Sequence, residues 1–185
     1  MIKLAMALAC CLATGSGTNT PPLSSDTALV YAQIVAAIRA EQAPRAAEKV
    51  YLADERLQFP YGGSGRHSGQ LLSELVARRV VDGVYVRARR SEEYPCVDCT
   101  RVVLGAITQY HRMFYIDPKD LSKDVGPEGI PVNHWVDVTV ARPCSTEGVR
   151  GGWCVHGEEN SRRYYLSRQP DGTFRLEACT VTREV

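Results

Sequence analysis

Two cysteines three positions apart, Cys96 and Cys99, have the spacing of three kinds of site. Such a pair can close a local disulfide, work as a redox dithiol, or supply half of a zinc site. The surroundings favour the disulfide. A redox pair usually opens a helix, whose positive end lowers the thiolate pKa. Here Val102-Val103-Leu104 predicts a strand after the pair, and Asp98 places a negative charge beside it. Zinc sites of this kind carry a second pair at short spacing, and the next cysteine is Cys144, with His111 the one nearby residue that could complete a partial site. Cys144 and Cys154 flank a glycine-rich turn over 148–152 and can meet as a hairpin disulfide. Closing that loop of about ten residues adds roughly 2–3 kcal/mol in the chain-entropy picture. Cys179 competes for either one. The disulfide candidates are therefore Cys96, Cys99, Cys144, Cys154 and Cys179, an odd number that leaves one without an intrachain partner. No metal site and no cofactor is expected.

The run 62–69, Gly-Gly-Ser-Gly-Arg-His-Ser-Gly, has the look of a phosphate cradle, because glycine lets backbone N–H groups approach an anion. It lacks the Lys-Ser/Thr ending of a P-loop. It also fails the G-x-S-x-G elbow, since Arg66 stands where glycine is required. What remains is a surface loop, or an anion or ligand contact through Arg66 and His67. Asp117, Asp120, Asp124 and Glu128 suggest calcium, but Val125 occupies the position where the EF-hand loop needs glycine. A solvated loop is expected there. Trp135 and Tyr164 stand out among aromatic residues that either fill the core or wall a pocket. The ligand-binding candidates are thus Arg66, His67, Trp135 and Tyr164; no catalytic residue emerges.

The first seventeen residues decide how the cysteines are read. A lone Lys3, an apolar run over 4–13 and then small residues form the layout of a secretory signal peptide. The run is too short for a bilayer, which needs about 20 residues. Lipid attachment at Cys10 or Cys11 is the alternative. Export places the chain in an oxidising compartment, periplasmic or extracellular, where disulfides are the default. The tether over 18–25 is rich in Thr, Ser and Pro. One domain over 26–185 follows, large enough to fold without a cross-link. Its 22 basic and 21 acidic side chains, less Lys3, balance to zero, so it lacks the charge of a nucleic-acid binder. No later segment is apolar enough for a membrane span.

The elements follow from periodicity. Asp26 is expected to cap a helix to about residue 42, with Val30, Ile34 and Ile38 on its apolar stripe. A strand is expected over 49–53. The glycine-rich stretch 59–69 reads as irregular. A second helix follows over 70–79, with Leu71, Leu72, Leu75 and Val76 inward. A strand over 84–89 should turn Val84 and Val86 to one side and Tyr85 to the other. Further strands are expected over 101–110, 112–116, 135–142 and 153–156, with a long loop over 118–131. Gln169-Pro-Asp-Gly172 is a hairpin signal between strands over 162–168 and 173–182.

The fold class is α+β: two helices in the N-terminal half packed on a mostly antiparallel sheet that ends in a C-terminal β-hairpin. The closing Tyr164-Tyr-Leu and Asp171-Gly-Thr-Phe174 segments resemble the last hairpin of cone-shaped α+β domains of the nuclear-transport-factor type. The strand over 49–53 between two helices departs from that pattern, so no membership and no catalytic residue is carried over. The expected function is a non-catalytic, exported cell-envelope domain that binds a small ligand or an envelope protein. The alternatives are a thiol–disulfide protein using Cys96 and Cys99, or a zinc-stabilised fold.

Overall fold

The computed structural model describes residues 25–41, 49–57, 64–86, 99–117, 120–141, 149–150, 153–154 and 159–184. The expected leader, the expected tether before Ser25, Cys96 and Cys144 lie outside these residues.

Helix α1 spans Asp26–Glu41. Its cap is Ser25, one residue before the expected Asp26: the Ser25 Oγ accepts a hydrogen bond from the Ala28 N–H at 3.2 Å. Asp26 instead contributes its charge to the first turn and Arg39 to the last, each favourable to the helix dipole. Ala28, Val30, Tyr31, Ile34, Val35 and Ile38 recur at helical spacing and are buried.

The strands are β1 (Val50–Ala53), β2 (Glu55–Leu57), β3 (Ser64–Arg66), β4 (Gly83–Tyr85), β5 (Thr100–Leu104), β6 (Thr108–Asp117), β7 (Asp120–Asp124), β8 (Ile130–Ala141), β9 (Val149–Arg150), β10 (Trp153–Cys154), β11 (Glu159–Arg168) and β12 (Phe174–Glu184). Helix α2, Gly69–Ala77, lies between β3 and β4. The main sheet runs β12-β11-β8-β5-β1-β4, with β6 pairing β8 and β7. β1 is parallel to both neighbours, β4 and β5. The ladders from β5 through β8 and β11 to β12 are antiparallel. The class is α+β with a mixed sheet. The parallel part was not expected; it exists because α2 carries the chain from β1 back to β4, the crossover that parallel pairing requires.

One apolar core holds these elements together. Val30, Ile34 and Ile38 of α1 and Leu75 of α2 pack on Leu52, Val102, Leu104, Val136, Val138, Val140, Tyr164 and Leu166 of the sheet. Both helices therefore cover the same face. Alternation along β1 and β5 sends Ala53 and Val103 to the reverse face, where they cluster with Tyr85. The expected alternation of β4 holds, with Val84 and Tyr85 on opposite faces. Tyr85 is buried while Val84 and Val86 are half-buried, because this short strand has apolar neighbours on both faces. Val76 is exposed rather than inward.

Three stretches depart from the sequence reading for one reason: neighbours supply hydrogen bonds that local composition does not predict. Within the glycine-rich run, β3 pairs with β2, joining Arg56 to Gly65 and Glu55 to Arg66. Ser68 then caps α2, its Oγ accepting from the Leu71 N–H at 3.2 Å. In the expected loop over 118–131, β7 pairs back on β6 and β8 already starts at Ile130. The expected strand over 101–110 breaks at Gly105, whose N–H donates to the Asp137 carbonyl at 2.7 Å. A Cβ at Gly105 would stand 2.8 Å from that same carbonyl oxygen, so only glycine fits. β11 and β12 pair antiparallel across the turn at 169–172, with two register shifts along the ladder. Gly172 takes φ +87°, and Asp171 Oδ1 accepts from the Thr173 N–H and hydroxyl at 2.9 and 2.7 Å.

Candidate functional site

Beyond the carboxyl end of β1, the chain reads Asp54-Glu55-Arg56, and β3 brings His67 back beside it. The His67 N–H donates to the Asp54 carbonyl at 3.0 Å, and the Asp54 N–H to the Tyr85 carbonyl at 2.9 Å. This junction therefore sits off the ends of β1 and β4. Tyr31 of α1 completes it. Its hydroxyl donates to the Gly105 carbonyl at 2.8 Å, and its ring meets His67 at 83° with centroids 5.4 Å apart.

The electrostatics here are unusual. His67 is 8 % exposed, and its Nε2 has no hydrogen-bond partner. Arg56 Nε, also buried, has none either. Burial first, and the Arg56 charge second, push the His67 pKa down to about 4, with Asp54 opposing. Burial also raises Tyr31, which the Arg56 charge partly offsets. Arg56 thus acts on both rings. Buried polar groups are almost always paired, and leaving one unpaired costs about 1–3 kcal/mol. Two orphaned atoms at the carboxyl ends of parallel strands, where open sheets of this kind hold ligands, mark a candidate site.

Arg66 is exposed on β3, opposite Glu55 in register. Trp135 lies on the other face of the sheet, in a cluster with Tyr110, Asp137 and Arg163. The Trp135 and Tyr110 centroids are 4.0 Å apart, and the Arg163 guanidinium lies 5.2 Å above the Trp135 ring. This cluster satisfies itself: the Trp135 indole donates to Asp137 Oδ2 at 3.1 Å, and Arg163 binds the same carboxylate. Burial acts to lower Arg163, but the bonds and charge of Asp137 raise it on balance. The Arg163 charge is therefore already answered by Asp137, and the rings serve as a platform.

Tyr164 is fully buried in the apolar core. Burial raises its hydroxyl; Arg162 lies close enough to oppose this, yet no well-formed hydrogen bond closes on the hydroxyl. Arg162 is itself paired to Glu41 at the end of α1. His67, Trp135 and Tyr164 thus occupy a strand junction, the open face and the core respectively. Sequence reasoning missed Arg56 and Tyr31; the Asp-Glu-Arg run directly after a buried strand was the available signal.

Cys99 is buried at the start of β5, and Cys179 is half-buried on β12. Among the described residues, no group of three or more His, Cys, Asp or Glu side chains could hold a metal ion. Among them also, no helix is long and apolar enough to cross a membrane. No protein-family model, curated protein or solved structure matches this chain.

Proposed function

We propose that this chain is an exported, non-catalytic cell-envelope domain that captures a small ligand at the Arg56–His67 junction. The leader layout over residues 1–17 is what supports export, and the balanced charge argues against a nucleic-acid partner. In this proposal a helical layer from the N-terminal half supports a sheet whose C-terminal hairpin closes the core. The observation that carries the binding site is the pair of buried, unpartnered polar atoms, Arg56 Nε and His67 Nε2. A protein-binding role through the Trp135 face has weaker support, because its charged groups already answer each other. The thiol–disulfide alternative has weaker support, because β5 follows the pair directly where a redox pair usually opens a helix.

The test is a thermal-shift panel of small sugars, amino acids, organic acids and nucleotides on the exported protein and its His67→Phe variant. A class that stabilises the wild type and not the variant supports capture at this junction. Equal shifts in both proteins, or none with any class, would remove the site. Substrate turnover dependent on one titratable residue would overturn the non-catalytic reading.

A further inference from the structure

We infer that the ligand of this junction is a compact oxyanion, a carboxylate or a phosphate, that takes hydrogen bonds from Arg56 Nε and His67 Nε2. The inference rests on the binding-domain reading above and names the chemistry that the junction selects.

The donor set makes the selection. Arg56 Nε can only donate. A bound cation would face the guanidinium and gain nothing from it. A neutral donor would leave Arg56 Nε unmet. An acceptor-only group satisfies Arg56, and satisfies His67 as well once Nε2 carries a proton. Charge-assisted bonds of this kind are about twice as strong as neutral ones. The surroundings favour the same sign. α2 begins at Gly69, two residues past His67, and the positive end of its dipole lies at that end. Tyr31, anchored on Gly105, holds the imidazole edge-on or face-on at 83° and so limits where Nε2 can point.

Binding of an anion has a consequence for the proton. The groups acting on His67 are Arg56 from β2, Asp54 from the β1–β2 junction and Tyr31 from α1. With no anion, burial and Arg56 keep the imidazole neutral near pH 7. An oxyanion between Arg56 and His67 offsets the Arg56 charge and favours imidazolium. Capture therefore takes up a proton and tightens as pH falls from 7.5 to 5.5. If the bound-state pKa rises to roughly the free-histidine value, the gain is about tenfold.

The experiment follows the histidine signals of the full exported chain by NMR. Inorganic phosphate and sodium acetate are titrated separately, with chloride holding ionic strength constant. Sulfate, whose charge does not change over this range, serves for the pH comparison. The expected result is a saturable shift at His67 with the His134 signal unmoved, lost in Arg56→Gln and weakened in Arg56→Lys, which keeps a charge but removes Nε. Preference between phosphate and acetate assigns the source of the oxyanion. No saturable shift with any of the three anions, or one that survives Arg56→Gln, overturns the inference and leaves water as the partner of these atoms. Should a neutral compound of the panel act through His67 while no anion does, the oxyanion inference fails and the binding reading stands. Should neither act, both fail. The remaining histidine signals report folding of each variant.

Discussion

Arg163 reaches from β11 to Asp137 on β8 and grips both carboxylate oxygens, Nε to Oδ1 at 2.7 Å and Nη2 to Oδ2 at 3.1 Å. The two residues are register partners, so the fork needs no backbone adjustment. Trp135 donates to the same carboxylate. Both side chains are largely shielded, at 22 % and 18 % exposure. Asp137→Ala leaves the guanidinium shielded without its main partner and should cost about 1–3 kcal/mol. The urea midpoint of the variant measures this, and tryptophan emission should change with it. An unchanged midpoint would mean that solvent already screens the pair.

His67 predicts a pH dependence. Its folded pKa, about 4, lies below the ordinary value of 6.5. The unfolded chain therefore binds the extra proton first. Stability from this group is fully present above pH 6.5 and is lost as pH falls from there to about 4. The full loss is on the order of 3 kcal/mol. Chemical denaturation of wild type and His67→Gln across this range should show a flatter profile in the variant. Parallel profiles would mean that His67 titrates normally in the fold.

Tyr164 offers an inverse test. Its hydroxyl is buried in the core without a well-formed hydrogen bond. Removing an unsatisfied polar atom relieves its desolvation cost. Tyr164→Phe should therefore be neutral or stabilise by up to about 1 kcal/mol, against the usual direction for a core substitution. A loss above that size would show that the hydroxyl has a partner in solution.

Gly105 joins β5 to β6, and two hydrogen bonds converge on it. Its N–H reaches Asp137, its carbonyl receives Tyr31, and a Cβ would stand 2.8 Å from the Asp137 oxygen. Gly105→Ala must push two strands apart and should cost roughly 2–4 kcal/mol. Tyr31→Phe removes only the side-chain bond and should cost about 1 kcal/mol. Thermal melts rank the two. The reverse order would place the strain elsewhere.

The legible parts of this fold share a strong local signal. α1 shows an apolar stripe at helical spacing, β8 alternates Val136, Val138 and Val140, and Pro170-Asp171-Gly172 turns the last hairpin. β3 and β7 escaped notice because their residues have weak strand propensity and gain their ladders from β2 and β6. His67 drew notice through the glycines around it. Arg56 and Tyr31 did not, since an arginine on a short strand and a tyrosine on a helix stripe look ordinary in isolation.

The residues by themselves determined the helix stripes, the strand alternation and the turns, because each depends on side chains within a few positions of one another. The tertiary structure decided the parallel placement of β1 between β4 and β5, the burial of Tyr85, and the separation of His67, Trp135 and Tyr164 onto different parts of the sheet. It also decided which polar atoms lost water without gaining a partner. Desolvation and strand register depend on segments far apart in the chain, and no local pattern of residues encodes where such segments meet.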